Sequence, residues 1–187
     1  MVDKPKLERA CILILEAIGE EPNRAGLKET PRRFAGFWKE FIDYKDDNQL
    51  TIFEAVTADQ MVVVSGMRVW SLCEHHLLPF YVDISIGYIA RESILGLSKF
   101  ARIAHHHAHK LQVQEKLVQD IANTLRDKVG FQDVAVIGTG EHLCMTMRGI
   151  QTPARMTSSI LYGQFKTNPD TRREFLGIVQ AQQQAHK

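Results

Sequence analysis

Neither sign of charge is in excess in this sequence: 23 Lys and Arg stand against 22 Asp and Glu, a formal charge of +1. That balance excludes a nucleic-acid binder working by bulk positive potential, because neutralising phosphates takes clustered Lys and Arg. Any anion has to be met by a local basic cluster. No apolar run approaches the roughly 20 residues of a membrane span, and the opening MVDKPKLERA has no apolar core of signal-peptide length. Cysteine is scarce, three in 187 residues, an odd number and too few for a disulfide scaffold. The expectation is reduced thiols in a cytoplasmic protein, where cysteines near histidines read as metal ligands. There is no internal repeat and no Gly/Ser linker. With 44% hydrophobic and 24% charged residues, the chain has a globular balance and the length of one folding unit.

What is present reads as a helical arm over residues 1–50, a catalytic domain over 51–180 and a polar, frayed tail over 181–187. Leu7, Ala10, Cys11, Ile14, Leu15 and Ile18 recur at helical spacing until Gly19. Cys11 lies on that apolar face as a small buried hydrophobe. Thr30 and Pro31 open a second helix, Thr as N-cap, whose stripe is Phe34, Phe37, Trp38, Phe41 and Ile42. These aromatics read as core or subunit interface. Residues 61–64 are a β-branched run, and residues 81–90 alternate with Val82, Ile84, Ile86 and Tyr88 on one face. Two helices follow, one with Phe100, Ile103, Ala104, Ala108 and Leu111 as its stripe, the other with Leu117, Val118, Ile121, Ala122 and Leu125. Strand returns over 134–148 and again over 156–165. The order implies an α+β fold with helices on one face of an antiparallel sheet.

The strongest local signal is Cys73-Glu74-His75-His76. A Cys and a His three apart can chelate one ion from a short turn, and thiolate with imidazole suits Zn2+. A second half-site is His142-Leu143-Cys144, where strand periodicity places His142, Cys144, Thr146 and Arg148 on one face. Together the halves make Cys73, His76 and Cys144 a three-ligand set, with His75 and His142 beside the metal. A catalytic zinc keeps one position for water where a structural zinc is closed by four ligands, and spacing leaves open whether a spare histidine completes the sphere. The two spare imidazoles can move protons. A zinc hydrolase is the reading of the residues themselves.

Ser98, preceded by Gly96, reads as a helix N-cap, and helix N-termini favour anions. Lys99 and Arg102 share a face there and, with Arg148, can hold a polyphosphate. Gln114-Glu115 opens the next helix, and one carboxylate there can take the two parallel donors of a guanine edge. His105, His106, His107 and His109 read as an exposed or interface helix face with His107 turned inward.

The segments SLCEHHLLPF (71–80), ILGLSKFAR (94–102), LQVQE (111–115) and EHLCMTMRG (141–149), together with ETPRR (29–33), resemble GTP cyclohydrolase I of the zinc-dependent form, over residues 6–179. The resemblance implies a tunnelling fold, an antiparallel sheet backed by two helices, assembled into a homodecamer of two pentamers with active sites between subunits. It implies conversion of GTP and water to formate and 7,8-dihydroneopterin triphosphate, the first step toward pterins, folate or deazapurines. The family's zinc ligands fall on Cys73, His76 and Cys144, and its proton-transferring histidines on His75 and His142. Its guanine-binding pair falls on Gln114 and Glu115, and its phosphate contacts on Lys99, Arg102 and Arg148. Ser98 matches a position tied to the later rearrangement, and Arg33 one that reaches the neighbouring subunit's triphosphate. Gly36 stands where the family has a basic residue, the stretch TPARMTSS is shorter than the family's loop, and Ala90 replaces a proline.

Overall fold

The structure, a computed structural model, describes residues 1–45 and 50–185. The chain divides into two compact units, Met1–Lys45 and Asp46–Lys187.

The first unit is a pair of packed helices, α1 (Lys4–Ala17) and α2 (Thr30–Ile42). Asp3 caps α1, its carboxylate accepting from the Lys6 amide at 3.0 Å. After the helix, Gly19 takes the left-handed φ of +82° that glycine tolerates best. Cys11 and Leu15 are buried, as the spacing predicts. In α2 the cap is Glu29, without a side-chain bond, and Thr30 is already helical. Its aromatic stripe is only partly buried: Phe41 is covered and stacks on Phe37, which stays 47% exposed, and Ile42 is exposed.

The second unit is α+β. A five-stranded sheet runs in the order β5-β2-β3-β6-β7, and a separate pair joins β1 (Ile52–Glu54) to β4 (Ser93–Leu95). Strands β2 (Gln60–Cys73), β3 (Pro79–Ala90), β6 (Val134–His142) and β7 (Arg155–Leu161) are antiparallel neighbours; the two-residue β5 (Leu111–Gln112) lies parallel to β2. Alternation along β3 buries Val82, Ile84, Ile86 and Tyr88 completely. On them pack Phe100, Ile103 and Ala104 of α3 (Leu97–Ala108), and Leu117, Val118, Ile121 and Ala122 of α4 (Gln114–Thr124). Each such large side chain contributes about 1.5–3 kcal/mol on burial. A wider π turn, Leu125–Val129, ends α4.

Several expectations are corrected. The α3 stripe ends at Ala108, because His109 closes the helix and Leu111 belongs to β5 and is exposed. The helix is capped by Gly96, so Ser98 lies in its first turn and makes no cap bond. The strand from residue 134 stops at His142 and gives way to the helical turn α5 (Leu143–Thr146). The last strand ends at Leu161, with α6 (Gln164–Thr167) after it. The other sheet face is not bare, for Ala135 and Ile137 pack with Phe165 and with Phe175 and Val179 of α7 (Pro169–Ala185). The tail is helical through residue 185, and Gln182 accepts a hydrogen bond from the Ser65 hydroxyl.

His107 of α3 is turned toward α4, its Nε2 sharing a hydrogen bond of 2.7 Å with Thr124 Oγ1. Burial, reinforced by Lys110, His106 and Lys128 against an opposing Asp120, pulls it down to about 4. The folded protein therefore holds this ring neutral where the unfolded chain, with an ordinary histidine near 6.5, is protonated. Stability is lost as pH falls between those two values. After discounting for partial solvent screening, the loss is on the order of 2 kcal/mol. Urea midpoints measured across that range are expected to fall steeply for the native sequence and less for His107→Asn. Equal slopes would contradict it.

Candidate active site

Cys73 ends β2 and is buried, and the chain turns at once: the amides of His76 and Leu77 both donate to the Cys73 carbonyl, at 3.3 and 2.8 Å. The Cys73 amide donates to the carbonyl of Leu78 at 2.8 Å, closing the loop, and Leu77 sits at a φ of +56°. A side-chain-bearing residue in that left-handed region is uncommon and strained. The tight turn brings His76 Nδ1 to 3.7 Å from Cys73 Sγ.

Strand β3 then carries the chain back. Phe80 is the register partner of Ser71 on β2 and of His142 on β6, so the ends of β2 and β6 leave the sheet side by side. Two residues beyond β6, the α5 turn presents Cys144. The ligand atoms of Cys73, His76 and Cys144 lie within 4.8 Å of one another. Sequence spacing grouped the residues that the structure brings together, but by a strand periodicity that the structure replaces with a helical turn. Leu143, Met145 and Met147, which strand alternation would set together on the opposite face as a core face, are all exposed.

Two sulfurs and an imidazole are a soft-to-borderline donor set, the kind that suits Zn2+. Burial, with the neighbouring Cys73 sulfur, pushes the Cys144 thiol up, and Arg148 opposes the shift. A divalent cation between the sulfurs would reverse this by stabilising both thiolates. The residues thus fit a metal ion, and three protein donors leave a coordination position for solvent.

His142 ends β6 on the face that carries α3 and α4. Its ring lies flat on that of buried Phe80, 4.5 Å between centroids and 8° between planes, and its Nε2 donates to Gln114 Oε1 at 3.0 Å. Desolvation lowers its basicity, while the Glu115 carboxylate pulls the other way. Gln114 and Glu115 both open α4, but Gln114 is fully buried and Glu115 exposed. His75 stands exposed in the turn with Glu74 3.8 Å from its Nε2. Arg148 follows α5 and is exposed, and Ser98, Lys99 and Arg102 belong to α3, which packs beside β2. Arg33 is exposed on α2, in the other unit.

Sequence reasoning missed Phe80 and the glycines of β6. A Cβ at Gly138 would come within 2.8 Å of both Val118 and Val82, and one at Gly140 within 2.2 Å of the Tyr81 carbonyl and 2.9 Å of Gln114 Oε1. The signal was Gly138-Thr139-Gly140 inside a strand, since strand glycines mark a close backbone approach. Here α4 is what approaches.

Changing Cys144, which is only partly buried at the edge of the core, to Ala removes one donor. Zinc affinity, measured by competition with a chromophoric chelator, is expected to drop beyond the about 10–100-fold that losing an outer hydrogen-bond partner costs. Unchanged affinity would disprove the donor set.

The family model described as GTP cyclohydrolase I matches residues 7–180. "GTP cyclohydrolase 1" of Sulfurihydrogenibium sp. (strain YO3AOP1) is 45% identical over 181 residues, covering 96% of each chain. The protein of that name from Hyperthermus butylicus is 41% identical, covering 96% of this chain and 92% of its own. The one from Aquifex aeolicus is 43% identical, covering 95% and 97%. Matched over nearly its whole length by the family model and by these relatives, the chain belongs to the GTP cyclohydrolase I family.

Proposed function

We propose that this chain hydrolyses GTP at C8, releasing formate, and rearranges the opened nucleotide to 7,8-dihydroneopterin triphosphate. The observation that carries the reading is the convergence of Cys73, His76 and Cys144 beside a second imidazole, His142, that is anchored but not needed as a ligand. Cys73, His76 and Cys144 would hold zinc, which when bound supplies Lewis acidity and a water acidic enough to act as a nucleophile near neutral pH.

The protein's own groups do the rest. The Glu115 carboxylate, exposed at the start of α4, accepts from N1–H and the 2-amino group of guanine, a two-pronged contact that fixes the base. Lys99, Arg102 and Arg148 take the triphosphate, with Arg33 of a neighbouring subunit, so that C8 is held at the reacting position. His142 gives a proton to N7 as the imidazole ring opens. His75, solvent-facing beside Glu74, carries protons during opening of the ribose, and Ser98 assists the later rearrangement.

The assembly in this reading is a homodecamer of tunnelling-fold barrels in the cytoplasm. Three features support an oligomer. The outer edge of β7 has no strand partner among the described residues. Leu77, Leu97, Met147 and Ile150 are exposed, Ile150 by 74%, and the arm of residues 1–50 exposes Leu13, Ile14, Ile18 and Phe37. Covering such exposed apolar side chains is one gain an oligomer would bring. No helix among the described residues is long and apolar enough to cross a membrane.

Incubation of the zinc-loaded protein with GTP is expected to release formate and develop pterin absorbance, and a chelator to stop both. Replacing His142 with Asn should lower kcat by about 10²–10⁴-fold, the usual worth of a general acid or base. Glu115→Gln should chiefly raise KM by weakening the grip on guanine. Formate released at the native rate by the His142 variant would contradict the assigned role.

A further inference from the structure

Gln114 is fully buried, and a buried polar side chain must find its partners inside the protein. Its amide nitrogen donates to the carbonyl oxygens of Gly138 at 2.9 Å and Met156 at 3.1 Å, and lies 3.2 Å from Ser158 Oγ. Carbonyl oxygens only accept, so the NH2 end of the amide faces them. The other end, Oε1, is an acceptor only, and it meets His142 Nε2 at 3.0 Å. Nε2 must therefore carry hydrogen. A neutral imidazole carries hydrogen on one nitrogen alone, so Nδ1 holds the free lone pair.

The ring is not at liberty to swing away. Phe80, itself fully buried, covers one face at 4.5 Å, and the two residues are register partners on β3 and β6. The acceptor's place is kept by a missing side chain, since a Cβ on Gly140 would fall 2.9 Å from Gln114 Oε1.

The geometry points to Gln114 as a positioning residue for His142, and to Nδ1 as the nitrogen through which His142 exchanges protons with the substrate. This rests on the reading of His142 as a proton carrier. The Nε2–H bond to Gln114 and the stack on Phe80 together fix the ring's orientation and leave Nδ1 as its acceptor nitrogen. Gln114 then acts through His142, and the exposed Glu115 is left to read the guanine edge.

The test starts from the zinc-loaded protein labelled with 15N-histidine, examined by solid-state NMR at about pH 8, above the ordinary titration range of histidine. Signals of His142 are found by difference from His142→Asn. A hydrogen-bearing Nε2 and a bare Nδ1 are expected; a neutral ring with its hydrogen on Nδ1 overturns the proposal. Kinetics supply the second arm. Gln114→Met keeps the volume but offers no acceptor, and should lower kcat by about 10–100-fold with KM for GTP little changed. In Gln114→Met the 15N signals of His142 should also lose their single fixed tautomer, a change that a merely structural loss would not give. Native kcat in the Met variant, or a tautomer unchanged from the native protein, overturns the positioning role. If the native protein makes no formate from GTP, the assigned reaction fails, while the NMR result still decides the tautomer.

Discussion

Three strands in one register hold this site together. Phe80 in the middle strand faces Ser71 on one side and His142 on the other, and because both pairings are antiparallel, β2 and β6 run the same way. Their ends leave the sheet together. The Cys73–Leu78 turn closes one end and the α5 turn closes the other, which is how two thiols far apart in sequence come to share a few ångströms with one imidazole. Slipping either pairing by one residue would turn Phe80 to the opposite face and separate the thiols. Stability and chemistry are therefore specified by the same hydrogen-bond ladder.

The second constraint is the close seat of α4 on β6. Gly138 and Gly140 leave no side chain between helix and strand, so Val118 packs directly against the sheet and Gln114 reaches the strand carbonyls. Core burial by Leu117, Val118 and Ile121 fixes the helix, and the first residues of that helix are the ones that meet His142 and face outward as Glu115. Cutting Val118 back to Ala would cost about 1–3 kcal/mol in packing by the usual large-to-small scale. It would also loosen the group that orients His142.

Much of this was legible from the residues. Cys73-Glu74-His75-His76 is a local signal, because a turn needs only a few residues to bring a thiol and an imidazole together. The buried faces of β3, α3 and α4 follow from periodicity alone. The stretch after His142 was not legible: Leu143, Met145 and Met147 alternate with polar residues as a strand would, yet they coat an exposed helical turn. Alternation signals a strand only where one face is buried, and a single sequence does not show whether it is. The two helix caps failed for a related reason. Thr30 and Ser98 are good capping residues, but the chain turns one or two residues earlier, at Glu29 and Gly96, and propensity yields to the path set by packing. The burial of Gln114 was not legible either, because a polar residue at a helix start is commonly exposed; its inward role depends on Gly138, Gly140 and Ser158, which only the fold brings close.

The proposed function rests on one cation that Cys73, His76 and Cys144 would hold, with a place left for solvent. X-ray absorption at the zinc edge of the reconstituted protein tests this most directly. The account predicts two sulfur neighbours at about 2.3 Å and one imidazole nitrogen with one further light atom at about 2.0–2.2 Å. A fourth protein ligand in the form of a second imidazole, or fewer than two sulfurs, would contradict it.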